Sequence, residues 1–275
     1  MIKRSGTLAL IFAVFFSGCA SHAAVKKPAA SRFSEESEIG GKINEQILAS
    51  FYPYTDPKVV QYVNKIGNEL ASCAERRDLK YRFTILYNDK IYAASAPGGY
   101  IYVTTSMLAF LQNEAELAAV LAHEIGELQH KNPRLSESRK VLEAVTRTGQ
   151  VVGPAFGGIG VLAALGLTAV QAMADSTKLS PHQRLIQADG RALNYMVKAG
   201  YDPQGMLDIL DKLLKARQRM TPFLYDYDQS RPVTEERMAA LRQNFSKLQL
   251  LNKTFTVNYK SYQEITRGIR EIYEP

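Results

Sequence analysis

A chain of 275 residues that is 46% hydrophobic and 22% charged holds enough apolar material for a sizeable core, in one large domain or two small ones. Its formal charge of +7 is scattered rather than drawn into a stripe, which argues against nucleic-acid binding. Two cysteines, Cys19 and Cys73, leave no room for a disulfide framework or a cysteine-built zinc site.

Residues 1–18 read as a signal peptide. Lys3 and Arg4 form a positive start, and Leu8 to Phe16 an apolar run too short to span a bilayer. Phe16-Ser17-Gly18-Cys19 then places small residues before a cysteine, in the manner of a bacterial lipobox, so Cys19 is the expected lipidation site. Acyl chains there would hold the protein on a membrane without a transmembrane helix. Ala20, rather than Asp, follows the cysteine, which favours the periplasmic face of the outer membrane. Residues 19–33 are small, polar and proline-punctuated and read as a tether, with His22 needing no role in it. The folded domain is expected over 34–275.

Asp56-Pro57 predicts a helix start, with Val59, Val60, Val63, Ile66 and Leu70 as the buried face of a helix running to about Glu75. Cys73 falls there as a small buried hydrophobe. The period then changes. Tyr81 to Tyr87, Ile91 to Ser95 and Tyr100 to Thr104 predict three strands, separated by turns at Asn88-Asp89 and Pro97-Gly98-Gly99. Asn113 opens the next helix with Glu116 in a capping-box position. Val151 to Ala172 is uncharged and long enough to cross a membrane, yet broken by glycines and Pro154, which favours a buried or surface-covering helical hairpin. Helices follow over Pro181 to Ala199, Pro203 to Met220 and Thr234 to Leu248, then a strand over Lys253 to Tyr259 and a helix over Ser261 to Tyr273. The fold class expected is α+β, mainly helical with a small sheet.

Residues 123–127 carry the chemistry: His123-Glu124-Ile125-Gly126-Glu127. Two histidines at i and i+4 on a helix can meet one metal, with the intervening Glu as general base on a metal-bound water. Here Glu127 stands in the second histidine's place. Alone, such a pair is also an ordinary i,i+4 surface pair.

The surroundings add to this. Pro97-Gly98-Gly99-Tyr100-Ile101-Tyr102-Val103, the run from Asn113 through His123-Glu124 to Gly126, Ala188-Asp189, Gly200-Tyr201-Asp202-Pro203 and Pro232-Val233-Thr234-Glu235-Glu236-Arg237 together resemble the HtpX- and BepA-type zinc metallopeptidase family, in its order and spacing from about Ser34 to Leu248. The resemblance implies a zincin-like fold, a zinc ion held by the helix motif and by a later Glu, and support of the site by Asp189 and Arg237. Residue by residue, it also marks departures. The later ligand position holds Leu185, His182 stands where Arg is usual, Arg231 where His is usual, and Tyr92 where an Asn is usual on the edge strand that pairs with substrate.

Three readings follow. The first is an envelope lipoprotein whose altered peptidase domain binds peptide or protein partners without cutting them, in envelope protein quality control, possessing zinc or none. The second is a working metalloendopeptidase with a permuted ligand set, His123, Glu127 and His182, and Glu124 as base. The third ligand would then sit about 4.5 Å back along its helix from Leu185, at ~1.5 Å per residue. The third reading is a non-catalytic structural membrane anchor. His130 shares the face of His123 but lies about 10.5 Å along the helix, too far for one metal, and reads as a helix-end histidine. The sequence leaves open whether Arg231 fills the metal's place, where it would pair with Glu124 or Glu127.

Overall fold

A computed structural model describes residues 29–129, 180–218 and 232–273. The expected signal peptide, Cys19, His22, His130, the apolar 151–172 stretch and Arg231 all lie outside the described residues.

The first helix, α1 (Ala29–Ser50), begins inside the stretch expected to be a tether. Ile39, Ile43 and Ile47 recur every four residues and are buried. Gly40 lets α1 approach the sheet: a Cβ there would overlap the Pro97 carbonyl oxygen at 1.9 Å. Glu36 on the same helix receives both terminal nitrogens of the buried Arg76 guanidinium, at 3.1 and 2.9 Å.

Helix α2 (Pro57–Ala71) starts as predicted, with the Asp56 carboxylate accepting from the backbone N–H groups of Lys58 and Val59. It ends four residues short of Glu75, because Cys73 and Ala74 bond back three residues, to Leu70 and Ala71, and tighten the last turn. Val60 is half-buried rather than buried, and so is Cys73.

Strands β1 (Arg82–Leu86), β2 (Ala93–Ala96) and β3 (Tyr100–Thr104) form one sheet in the order β1-β3-β2. β1 runs parallel to β3, and β2 antiparallel. The hairpin between β2 and β3 needs left-handed backbone at Gly98 (φ 82°) and Gly99 (φ 92°), which explains the glycine pair.

A short α3 (Thr105–Phe110) leads to α4 (Glu114–Glu127). Asn113 caps α4 by accepting from Glu116 N–H, as expected. The return half of the capping box differs, since Glu116 accepts instead from Gln112 N–H and from Lys212 Nζ, both at 2.8 Å. Every residue of α4 is buried, so this is the central helix of the domain.

Helix α5 (Pro181–Ala199) matches its predicted bounds. Ser180 and Gln183 form a complete capping box, and Gly200 closes the helix at φ 85°. Helices α6 (Gln204–Gln218) and α7 (Glu235–Ser246) follow. α4 packs against α5, α6, α2 and β2. The expected strand over 253–259 is reduced to one bridge, Thr256 to Tyr201, and the expected last helix is two, α8 (Tyr259–Ile265) and α9 (Arg267–Tyr273). The architecture is α+β, mostly helical with a small mixed sheet beside α4. Among the described residues no helix is long and apolar enough to cross a membrane.

Candidate functional site

His123, Glu124 and Glu127 lie on the last two turns of α4, all buried. Burial excludes the surface-pair reading of His123 and Glu127. What brings α5 so near is Gly126, where a Cβ would sit 2.8 Å from the Ala188 carbonyl oxygen. The next residue of α5, Asp189, then meets His123: Oδ1 lies 2.7 Å from the imidazole Nδ1.

Arg237, on the first turn of α7, holds the same carboxylate from the other side. Its Nε donates to Oδ2 at 2.7 Å and its Nη2 to Oδ1 at 2.9 Å. Both residues are 1% exposed. Burial pushes the Asp189 carboxyl up, but the guanidinium charge and its hydrogen bonds, with those of His123, outweigh that and hold it below the usual carboxylate range. His123, Asp189 and Arg237 thus form one buried hydrogen-bonded chain across three helices.

An ionised Asp189 accepts the proton of Nδ1–H, which leaves Nε2 of His123 as the lone-pair nitrogen. Among the described residues Nε2 has no hydrogen-bond partner, and neither has Oε1 of Glu127 one turn on. An acceptor nitrogen and a carboxylate oxygen, both buried and without a donor, form part of the donor set that a metal site requires.

The rest of the set does not complete it. Leu185, one turn before Asp189, is 2% exposed and offers no donor atom. His182 lies another turn back and faces α7: its Nε2 is 3.0 Å from Oε2 of Glu236 and 3.5 Å from Oγ1 of Thr234. Among the described residues no three His, Cys, Asp or Glu side chains are grouped to hold a metal ion. Catalytic zinc takes three protein ligands plus water, so the described residues do not by themselves make up such a site. The two donors that are in place are His123 and Glu127.

One residue of the site escaped the sequence reading. Arg184, on α5, is 1% exposed, and none of its three guanidinium nitrogens has a hydrogen-bond partner among the described residues. Burial lowers its pKa, and the charge of Glu127 opposes that shift. The available signal was its spacing, four residues before Ala188 and hence on the face that meets Gly126. Tyr92 is buried at the entrance to β2, with its backbone N–H on Thr104 Oγ1 at 3.1 Å and its carbonyl accepting from Thr104 N–H.

Residues 57–244 match the model of peptidase family M48. The chain is 28% identical over 218 residues to the beta-barrel assembly-enhancing protease of Escherichia coli K12, covering 76% of this chain and 43% of that protein. It is 29% identical over 193 residues to the protein of the same name from Yersinia pestis, covering 65% and 37%. A shorter match, 26% over 106 residues, joins it to the mitochondrial metalloendopeptidase OMA1 of Schizosaccharomyces pombe, covering 38% and 30%. The chain therefore spans less than half the length of the curated relatives it matches.

Proposed function

The chain belongs to peptidase family M48, and we propose that its peptidase scaffold works as a non-cleaving site for peptide segments of envelope proteins, held at the outer membrane by a lipidated Cys19. The observation that carries this reading is Leu185, buried and without a donor at the position where the family pattern calls for the third zinc ligand. Two ligands leave a weak site, and a carboxylate at Glu127 in place of an imidazole makes any bound metal a poorer Lewis acid. The scaffold around them is intact, with the sheet edge β2 beside α4 and the His123–Asp189–Arg237 chain in place. The relatives' name directs the choice of partner to β-barrel proteins before assembly.

The test uses the full chain in detergent, mixed with an unfolded outer-membrane β-barrel protein. Retention of the intact partner, unchanged by a chelator, is the expected result. Zinc-dependent fragments that disappear in a Glu124→Gln variant would overturn it.

A second reading keeps a claim because Nε2 of His123 and Oε1 of Glu127 are unpartnered. It makes the chain a metalloendopeptidase with His182 as third ligand and Glu124 as general base. It requires His182 to leave Glu236. One zinc per chain, lost in His182→Ala, is its signature.

A further inference from the structure

A buried arginine without a partner is costly, because its desolvation is not repaid by any hydrogen bond or ion pair. Among the described residues Arg184 is such a residue, and Glu127, on the helix that faces it, has an unpartnered oxygen of opposite charge. The packing of the two helices brings these ends together. His123 meets Asp189, and Gly126 meets Ala188, so positions rise along α4 as they fall along α5. The next turn of α5 carries Arg184 and the next position of α4 carries Glu127. Glu127 is near enough for its charge to act on the Arg184 guanidinium, and a side-chain rotation or one bridging water would let the two satisfy one another.

We propose that Arg184 is the resident cation of this pocket, neutralising Glu127 where the family places a metal ion. This rests on the non-cleaving reading of the site. It also makes Arg184 and Leu185 two halves of one device: Leu185 withholds a ligand, and its neighbour supplies a fixed positive charge to the carboxylate that is left. A guanidinium is always charged and presents a planar fork suited to a carboxylate, so it fills that role at any physiological pH. The same charge repels a divalent cation and occupies the lone pairs that would bind it.

The test has two arms on the full chain in detergent. In the first, metal-free protein is unfolded thermally as wild type, Arg184→Met, Glu127→Gln and the double variant. Arg184→Met lowers the Tm, and adding Glu127→Gln restores at least half of the loss, because the stranded charge is removed. If Arg184→Met does not fold, the double variant does. A Glu127→Gln change that leaves the Arg184→Met defect as it was, or deepens it, overturns the proposal. In the second arm, zinc alone is titrated into Leu185→Glu and into Arg184→Met/Leu185→Glu. The double variant binds zinc about tenfold tighter or more, the effect of removing one unit charge a few ångströms from a dication. Equal affinities overturn the proposal. The first arm contains no metal and no substrate, so cleavage by the wild-type chain would sink the functional reading without touching the Arg184–Glu127 coupling measured there.

Discussion

Nδ1 of His123 lies 2.7 Å from Oδ1 of Asp189, and that contact ties the central helix α4 to α5, while Arg237 brings in α7 through the same carboxylate. Three helices distant in sequence converge on one buried anion. Replacing Arg237 by Met leaves Asp189 buried with only the imidazole, and breaking such a pair from one side costs about 3–5 kcal/mol. Denaturant unfolding of Arg237→Met should show a loss of that size. A loss below about 1 kcal/mol would mean that water reaches Asp189 and that the carboxylate is not held as described.

The closeness of α4 and α5 gives a second expectation. Gly126→Ala forces the Ala188 backbone away, since the new Cβ would sit 2.8 Å from its carbonyl oxygen, and overpacking of this kind costs about 1–3 kcal/mol. Gly190→Ala on the same helix meets only the Asn244 side-chain nitrogen at 3.2 Å, which can move. Its stability should stay within about 1 kcal/mol of wild type, helped by alanine's helix preference. Equal effects of the two substitutions would contradict the packing.

Much of this site was legible in the sequence, for identifiable reasons. His123, Glu124 and Glu127 sit at fixed helical spacings, Asp189 was pointed to by the family resemblance, and Pro181 and Gly200 mark the ends of α5 by chemistry that needs no tertiary context. Arg184 was not legible, because an arginine in a helix ordinarily faces solvent and only packing reveals one buried without a partner. The start of α1 was hidden because residues 19–33 are small, polar and proline-punctuated and read as a tether, and it is packing that holds the helix, with Gly40 approaching Pro97. Over 253–259 the alternation was real but the pairing was not: only Thr256 finds a bridge, to the residue after the Gly200 cap.

Tyrosine ionisation supplies a pH test. Burial raises the phenol pKa of Tyr62, Tyr102, Tyr195, Tyr201 and Tyr262 well above the ordinary value, and in Tyr62, Tyr195 and Tyr201 a hydrogen bond to Glu114, Glu75 and Glu69 adds to it. The folded state therefore favours the protonated phenols. Their contribution is fully present below about pH 10, where unfolded tyrosine ionises, and is lost progressively as the pH rises above that. Near-ultraviolet phenolate absorbance for these five should appear together with loss of helical circular dichroism. Reversible ionisation of all 15 tyrosines with the fold intact would rule this out.

The residues beyond the family match, 245–273, act as a clasp on the start of the central helix. Glu114 N–H, one of the first donors of α4 and so without an intrahelical acceptor, bonds to the Val257 carbonyl at 3.0 Å. Asn258 donates to Glu114 Oε1 at 3.0 Å, Tyr262 OH to the Leu108 carbonyl at 2.6 Å, and Arg270 to the Leu111 carbonyl. Tyr262 is fully buried and is the residue that seats the clasp. Tyr262→Ala should cost about 3–5 kcal/mol, the range for deleting a buried aromatic side chain. Tyr262→Phe, which removes only the hydroxyl, should cost about 1 kcal/mol. The distinguishing measurement is hydrogen exchange at the Glu114 amide. If the clasp holds the helix start, Tyr262→Ala accelerates exchange there as well as in α8 and α9. Acceleration confined to α8 and α9, with Glu114 as protected as in wild type, would show that the C-terminal helices ride on the domain without steadying the helix that carries His123.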